Sequence, residues 1–210
     1  MNKTKTQRMV GIAIFTAIVV VLQLLGAFIR VGGFNISLVL IPIVVGAAVY
    51  GPGAGAFLGG VFGLVVTIAC ITGSDPSGAL LFGVNPFLTI VTCMGKGILA
   101  GLAAGAVYRA IAKPQKVETN GTVYTATSVK RRVLAVIAAA VVCPVVNTGI
   151  FCLALILFFK EVLTSWAGGT DLIYYVFIGL IGVNFLIELG INVVLSPIIT
   201  RIIDISKKAK

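Results

Sequence analysis

The hydrophobic pattern of the chain consists of long uncharged stretches separated by short polar segments. Arg8 and Arg30 enclose 21 uncharged residues, and Arg30 and Asp75 enclose 44. A membrane-spanning helix needs about 20 apolar residues, so the chain has room for about six. We therefore predict an all-α integral membrane bundle of six transmembrane helices. The predicted spans are about 9–29, 35–50, 54–72, 84–108, 133–158 and 172–200.

The second of these spans is short, and Pro42 interrupts it. Two features favour dividing residues 31–74 into two spans. The segment is too long for one helix, and it contains the sequence Gly51-Pro52-Gly53, which suits a tight reversal and not a helix interior.

The composition agrees with a membrane protein and also gives its orientation. Hydrophobic residues make up 59% of the chain, charged residues 10%, and the mean hydropathy is +1.15. If the N-terminus is cytoplasmic, thirteen of the 16 basic residues lie inside and only Arg30 and Lys160 lie outside. This positive-inside bias predicts that both termini are cytoplasmic. The net charge of +10 is then a topology signal and does not indicate nucleic-acid binding.

The longest polar segment, 112–132, is predicted to be a cytoplasmic loop between two three-span halves. Asn120-Gly121 lies between short β-prone pieces, so a small hairpin is one alternative for this segment. The sequence favours the other alternative, a solvated connector.

Several kinds of chemistry are excluded by what the sequence lacks. The chain has no histidine, which rules out H-E-x-x-H zinc sites and histidine-dependent catalysis. It has no recognisable P-loop, and its six acidic residues form no obvious metal-binding pair within the membrane. We expect neither an enzyme nor a bound metal or cofactor.

Small residues recur at helical spacing in three predicted spans. Glycines four residues apart share one face of the third span and one face of the fourth, and an alanine pair lies in the first. Such faces allow helix backbones to approach closely in lipid. The residues are Gly55, Gly59 and Gly63; Gly97, Gly101 and Gly105; and Ala13 and Ala17.

The candidate ligand contacts are polar residues predicted at outer or middle membrane depth. An ionisable group in the membrane costs several kcal/mol unless it faces a partner or a cavity, so such groups often mark a substrate path. Arg30, which also suits an interface anchor, and Asn35 lie in or beside the first outer loop. The later candidates are Asn85, Lys96, Asn147, Asn184 and Glu188.

Each of the later candidates also has a purely structural interpretation. Lys96 and Glu188 could neutralise one another across two helices. Asn85 precedes a proline and is placed to cap a helix. Asn147 could bond backbone carbonyls freed by a nearby proline, and Asn184 could form an interhelical hydrogen bond.

Taken in order, several pieces of the chain resemble the substrate-binding S component of an energy-coupling factor (ECF) vitamin transporter. The resemblance covers nearly the whole length. The matching pieces are Ala13-Ile-Phe-Thr-Ala17, Ile41-Pro42 through Tyr50-Gly51-Pro52, Gly55-Ala56-Phe57-Leu58-Gly59, and Lys96-Gly97-Ile98-Leu99-Ala100-Gly101-Leu102.

The resemblance implies a binding subunit of an importer in the bacterial plasma membrane. Such a subunit binds a water-soluble vitamin or related micronutrient from outside with high affinity. It docks through the alanine face of its first helix, here Ala13 and Ala17, on a transmembrane coupling subunit with two cytoplasmic ATPases. Toppling in the membrane then delivers the ligand inward. Because the Lys-Gly stretch recurs in members of different specificity, the resemblance favours a structural role for Lys96.

Two other functions are compatible with the residues alone. Glu188 in the middle of the membrane suits a proton-coupled secondary transporter, and the glycine faces suit a membrane assembly subunit. Arg30 and Lys96 beside an asparagine-rich pocket favour an anionic or amphoteric vitamin such as pantothenate, while riboflavin and folate remain alternatives.

Overall fold

The computed structural model describes residues 3–26, 30–31, 34–35, 38–113, 115–119, 122–126, 128–176, 178, 185–194 and 201, with the strands described by their backbone alone. The helices are α1 (Lys3–Gly26), α2 (Leu40–Tyr50), α3 (Pro52–Thr72), α4 (Pro76–Val84), α5 (Pro86–Ile111), α6 (Val129–Phe158), α7 (Lys160–Ala167), α8 (Leu172–Tyr174) and α9 (Leu186–Val194). The strands are β1 (Arg30–Val31), β2 (Phe34–Asn35), β3 (Gln115–Thr119) and β4 (Thr122–Ala126).

Prolines and short polar side chains fix where the central helices begin. Helices α3, α4 and α5 each have proline in the first turn. Backbone N–H groups in the first turn have no partner within the helix, so the N–H that proline lacks is not needed there. The Asp75 carboxylate accepts a 3.3 Å bond from the Gly78 N–H and caps α4. The Asn85 side-chain oxygen accepts a 3.0 Å bond from the Leu88 N–H and caps α5. Gly73 ends α3 with a φ of 76°, a conformation that favours glycine.

Four of the described helices are long and apolar enough to cross a membrane: Lys5–Gly26 within α1, and the whole of α3, α5 and α6. Helix α2 has 11 residues, about 16 Å at 1.5 Å per residue, which is about half the hydrocarbon thickness. It packs against α1, α3, α5 and α6, and most of its residues are buried. Pro42 lies in its first turn, so this helix begins at Leu40, later than the predicted start at 35.

The predicted glycine faces of the third and fourth spans pack directly against one another. A Cβ atom added at Gly59 would overlap the carbonyl oxygen of Gly97, and one at Gly97 would overlap that of Gly59. Gly55 and Gly101 make the same reciprocal contact one turn away. Helices α3 and α5 therefore touch backbone to backbone, which confirms the close packing expected from the spacing.

Two hydrophobic clusters hold the described helices together. The larger cluster joins α1, α2, α3, α5 and α6 around Leu40, Leu58 and Phe62. The smaller one joins α4, α7 and the end of α6 around Leu155 and Phe159. The predicted fourth span, 84–108, corresponds to α5, while the preceding loop contains the separate short helix α4.

The remaining predicted elements are only partly described. In the predicted span 172–200, the structure describes α8, α9 and a few further residues, so six spans and cytoplasmic termini stay predictions. The connector 112–132 contains the antiparallel hairpin β3–β4, with Thr119 opposite Thr122. The structure therefore shows the hairpin, whereas the sequence favoured a solvated connector.

Candidate ligand-binding site

A cavity of about 500 Å³ lies among α1, α3, α4, α5, α6 and α9. Members of both hydrophobic clusters form its walls, including Phe62 from the larger cluster and Leu155 from the smaller one. Pockets of about 300–1,000 Å³ with apolar walls and a few polar groups are typical binding sites for small organic molecules. This cavity has that character, and three of the predicted site residues line it.

Lys96 reaches the cavity from α5 and places its ammonium group beside two aromatic rings. The Nζ atom lies 4.8 Å from the ring centroid of Phe151 and 5.9 Å from that of Phe62. Both distances fall within the range of a cation–π contact, which partly offsets the cost of removing a cation from water. Phe151 comes from α6 and Phe62 from α3, so three helices together hold this charge in the wall.

Glu188 brings a carboxylate to the same cavity from α9. Its side chain is 4% exposed. Asn192, one turn later, donates a 2.8 Å hydrogen bond from Nδ2 to the Glu188 backbone carbonyl. Lys96 and Glu188 thus line one cavity. Contact of either residue with a ligand stays a prediction, as does direct pairing between them.

Asn147 lines the cavity from the middle of α6, three residues after Pro144. Its side chain is 6% exposed, and among the described residues its buried Oδ1 atom has no hydrogen-bond partner. Buried polar atoms are nearly always bonded, because leaving one unsatisfied costs about 1–3 kcal/mol. Asn147 thus lines the cavity as a residue, while its Oδ1 atom is buried behind the wall.

The other predicted site residues have different placements. Asn85 caps α5, as its structural alternative predicted, and it is not among the described residues that line the cavity. Arg30 and Asn35 pair opposite one another in the β1–β2 hairpin, and their side chains lie outside the description. Asn184 lies outside the described residues.

Several cavity residues were missed by the sequence reasoning. Gln23 comes from α1 and is 8% exposed, and Asp75 comes from the turn before α4. Thr89 and Thr92 line the wall on α5. A polar residue such as Gln23 within an otherwise apolar span was a usable signal. So was the spacing of Thr89, Thr92 and Lys96, which places the three on neighbouring positions of one helix side.

The alanine pair of the first helix lies on the outside of the bundle. Ala13 and Ala17 are both exposed on α1. The large apolar side chains around them are also exposed, with Ile14 at 56% and Ile18 at 39%. Helix α1 thus presents an apolar, small-residue face that no other described part of the chain covers.

Comparison with known proteins identifies the family. The sequence model described as "ECF transporter, substrate-specific component" matches residues 7–200, which is most of the chain. The chain belongs to this family. It is therefore a subunit of a membrane transport system, and this confirms the resemblance drawn from its sequence pieces.

The fold is also shared with a solved structure. The chain is similar to ThiT from Listeria monocytogenes with a TM-score of 0.63 and 20% sequence identity, covering 98% of each chain. At this identity the likeness shows a common fold. No curated protein sequence matches the chain.

Proposed function

We propose that the protein is the high-affinity substrate-binding subunit of an ECF-type importer for a water-soluble vitamin or related micronutrient. It would sit in the bacterial plasma membrane with six spans and both termini in the cytoplasm. The observation that carries the proposal is the 500 Å³ cavity, which Lys96, Asn147 and Glu188 line together. A family member built to bind a polar small molecule needs such a pocket within its apolar bundle.

The cavity residues divide naturally into two roles. The apolar wall, including Phe62 and Leu155, excludes water and holds the body of the ligand. The polar groups of Lys96, Asn147 and Glu188 orient it, because a few placed polar groups determine which molecule a pocket accepts. Arg30, Asn35 and Asn184 remain proposed contacts from the outer side of the bundle.

Energy for transport would come from partner subunits. The exposed face around Ala13 and Ala17 is proposed to dock on a transmembrane coupling subunit that carries two cytoplasmic ATPases. Two observations support this use of α1. Its small residues permit close helix approach, and its neighbouring apolar side chains are exposed. Gln23 on the same helix lines the cavity, so docking and binding would act on one structural element.

Uptake by reconstituted vesicles tests the proposal. The purified protein is combined with a coupling subunit and two ATPases, and the vesicles are exposed to a mixture of water-soluble vitamins. Mass spectrometry then measures what accumulates inside. We expect one compound to accumulate when ATP is supplied, with no effect of a protonophore.

A matched preparation without the ATPases serves as the control. Accumulation that survives ATP depletion but collapses with the protonophore would support the secondary-transporter alternative through Glu188 and overturn the proposal. Absence of any ATP-dependent accumulation from the full mixture would also count against it.

A further inference from the structure

We infer that the ligand of this cavity carries an anionic group, placed opposite Lys96. The inference rests on the proposed function and adds the chemical class of the substrate. A small organic carboxylate has this feature.

The positive charge of Lys96 is available to a ligand. Its described contacts are the faces of Phe62 and Phe151, which attract a cation through the ring quadrupole. Ring faces carry no net charge, so they stabilise the ammonium without neutralising it. They also fix its position, since the two rings come from different helices. A ligand carboxylate that reaches this ammonium gains a charge-assisted hydrogen bond in a water-poor site.

Among the described residues that line the cavity, Asp75 and Glu188 are acidic, and both interact with other parts of the protein. The Asp75 carboxylate accepts the Gly78 N–H and caps α4, a position where the helix dipole also favours a negative charge. Glu188 is 4% exposed and has interactions with other protein groups. A cationic ligand would have to compete with the Gly78 N–H for the Asp75 carboxylate. It would also face Lys96, which already occupies the ring faces that an organic cation would use.

The cavity volume limits the size of the molecule. One water occupies about 30 Å³ in the liquid, so 500 Å³ corresponds to about 17 waters. A ligand of about 15–20 non-hydrogen atoms fits this space, whereas a dinucleotide cofactor does not.

The test uses the complete reconstituted importer and matched pairs of compounds. The external mixture contains three acids (pantothenate, biotin and nicotinate), their uncharged counterparts (pantothenol, biotinamide and nicotinamide) and the cation thiamine. We expect ATP-dependent accumulation of one of the acids, at a level at least tenfold above its uncharged counterpart. ATP-dependent accumulation of thiamine or of an uncharged compound, equal to or above that of every acid, overturns the inference while the proposed function stands. Failure of all compounds, including the full vitamin mixture, rejects both.

Substitutions of Lys96 test whether the preference for an acid depends on the charge of this residue. Lys96→Met keeps the length of the side chain and removes its charge, so the affinity for the acid should fall about 10- to 100-fold, the value of one charge-assisted hydrogen bond. Affinity for the uncharged counterpart should stay within about twofold, and Lys96→Arg should retain most of the preference for the acid.

Lys113→Met, at an exposed position outside the cavity, is the matched control for loss of a positive charge. An acid preference that is unchanged in Lys96→Met contradicts the assignment of the anion to Lys96. If Lys96→Met does not fold, the acid-to-neutral ratio of the unaltered protein and of Lys96→Arg still decides the question.

Discussion

The reciprocal glycine contact between α3 and α5 predicts that alanine is costly at Gly59, and the neighbouring Gly60 serves as the control position. In Gly59→Ala the new methyl group overlaps the carbonyl oxygen of Gly97, so the two helices must separate. Overpacking of this kind costs about 1–3 kcal/mol. In Gly60→Ala, the next residue along, the nearest atom is 3.4 Å away on the flexible Ile98 side chain. That substitution should be neutral or stabilising by up to about 1 kcal/mol, because alanine is the better helix former.

The pair should therefore differ by about 1–4 kcal/mol in the free energy of unfolding. Thermal unfolding and denaturant titration of the purified protein in detergent, followed by circular dichroism, measure this difference. Helix α5 offers the same comparison, since Gly97→Ala meets the Gly59 carbonyl and no described atom lies within 4 Å of a Cβ at Gly95. Equal stability of Gly59→Ala and Gly60→Ala, with the same equality at the α5 pair, would refute backbone contact between these helices.

Three further predictions concern binding, capping and docking. Asn147→Ala should weaken ligand affinity by about 1–3 kcal/mol, measured by calorimetry with the transported compound, if its Oδ1 accepts a ligand hydrogen bond; unchanged affinity would place the contact elsewhere. Asn85→Ala removes the α5 cap and should lower stability by about 0.5–2 kcal/mol in thermal unfolding, with ligand affinity nearly unchanged. Ala13→Trp or Ala17→Trp should abolish vesicle uptake yet leave binding by the isolated protein intact, because bulk on this exposed face blocks close helix approach. Loss of binding in the isolated alanine variants would argue against a docking face.

The sequence predicted most accurately the helices that are both long and continuously apolar. The long uncharged stretches correspond to α1, α3, α5 and α6, because about 20 apolar residues satisfy their backbone hydrogen bonds in lipid only as helices. The prediction was weaker for α2, whose apolar character comes from burial among other helices and not from crossing the membrane alone. The spacing of glycines also predicted a packing face, since helical periodicity is a property of the sequence itself.

The site was predictable only in part. Lys96 and Glu188 stood out because charge within an apolar stretch is costly, and both line the cavity. For each of Asn85, Asn147 and Asn184 the sequence offered a structural role beside a ligand contact, because the same amide serves either purpose. The structure separated two of them: Asn85 accepts the Leu88 N–H at a helix start, while Asn147 lines the cavity and its Oδ1 has no hydrogen-bond partner among the described residues.

By itself, then, the sequence determined the membrane environment, the positions of the long helices and the glycine faces, all of which follow from local composition and periodicity. Only the tertiary structure decided which faces meet and what the cavity contains. Contacts between residues far apart in the chain place the rings of Phe62 and Phe151 beside Lys96. Such contacts also bring Gln23 of α1 to the cavity wall. Helix packing sets those contacts, and no local pattern of polar and apolar residues specifies them.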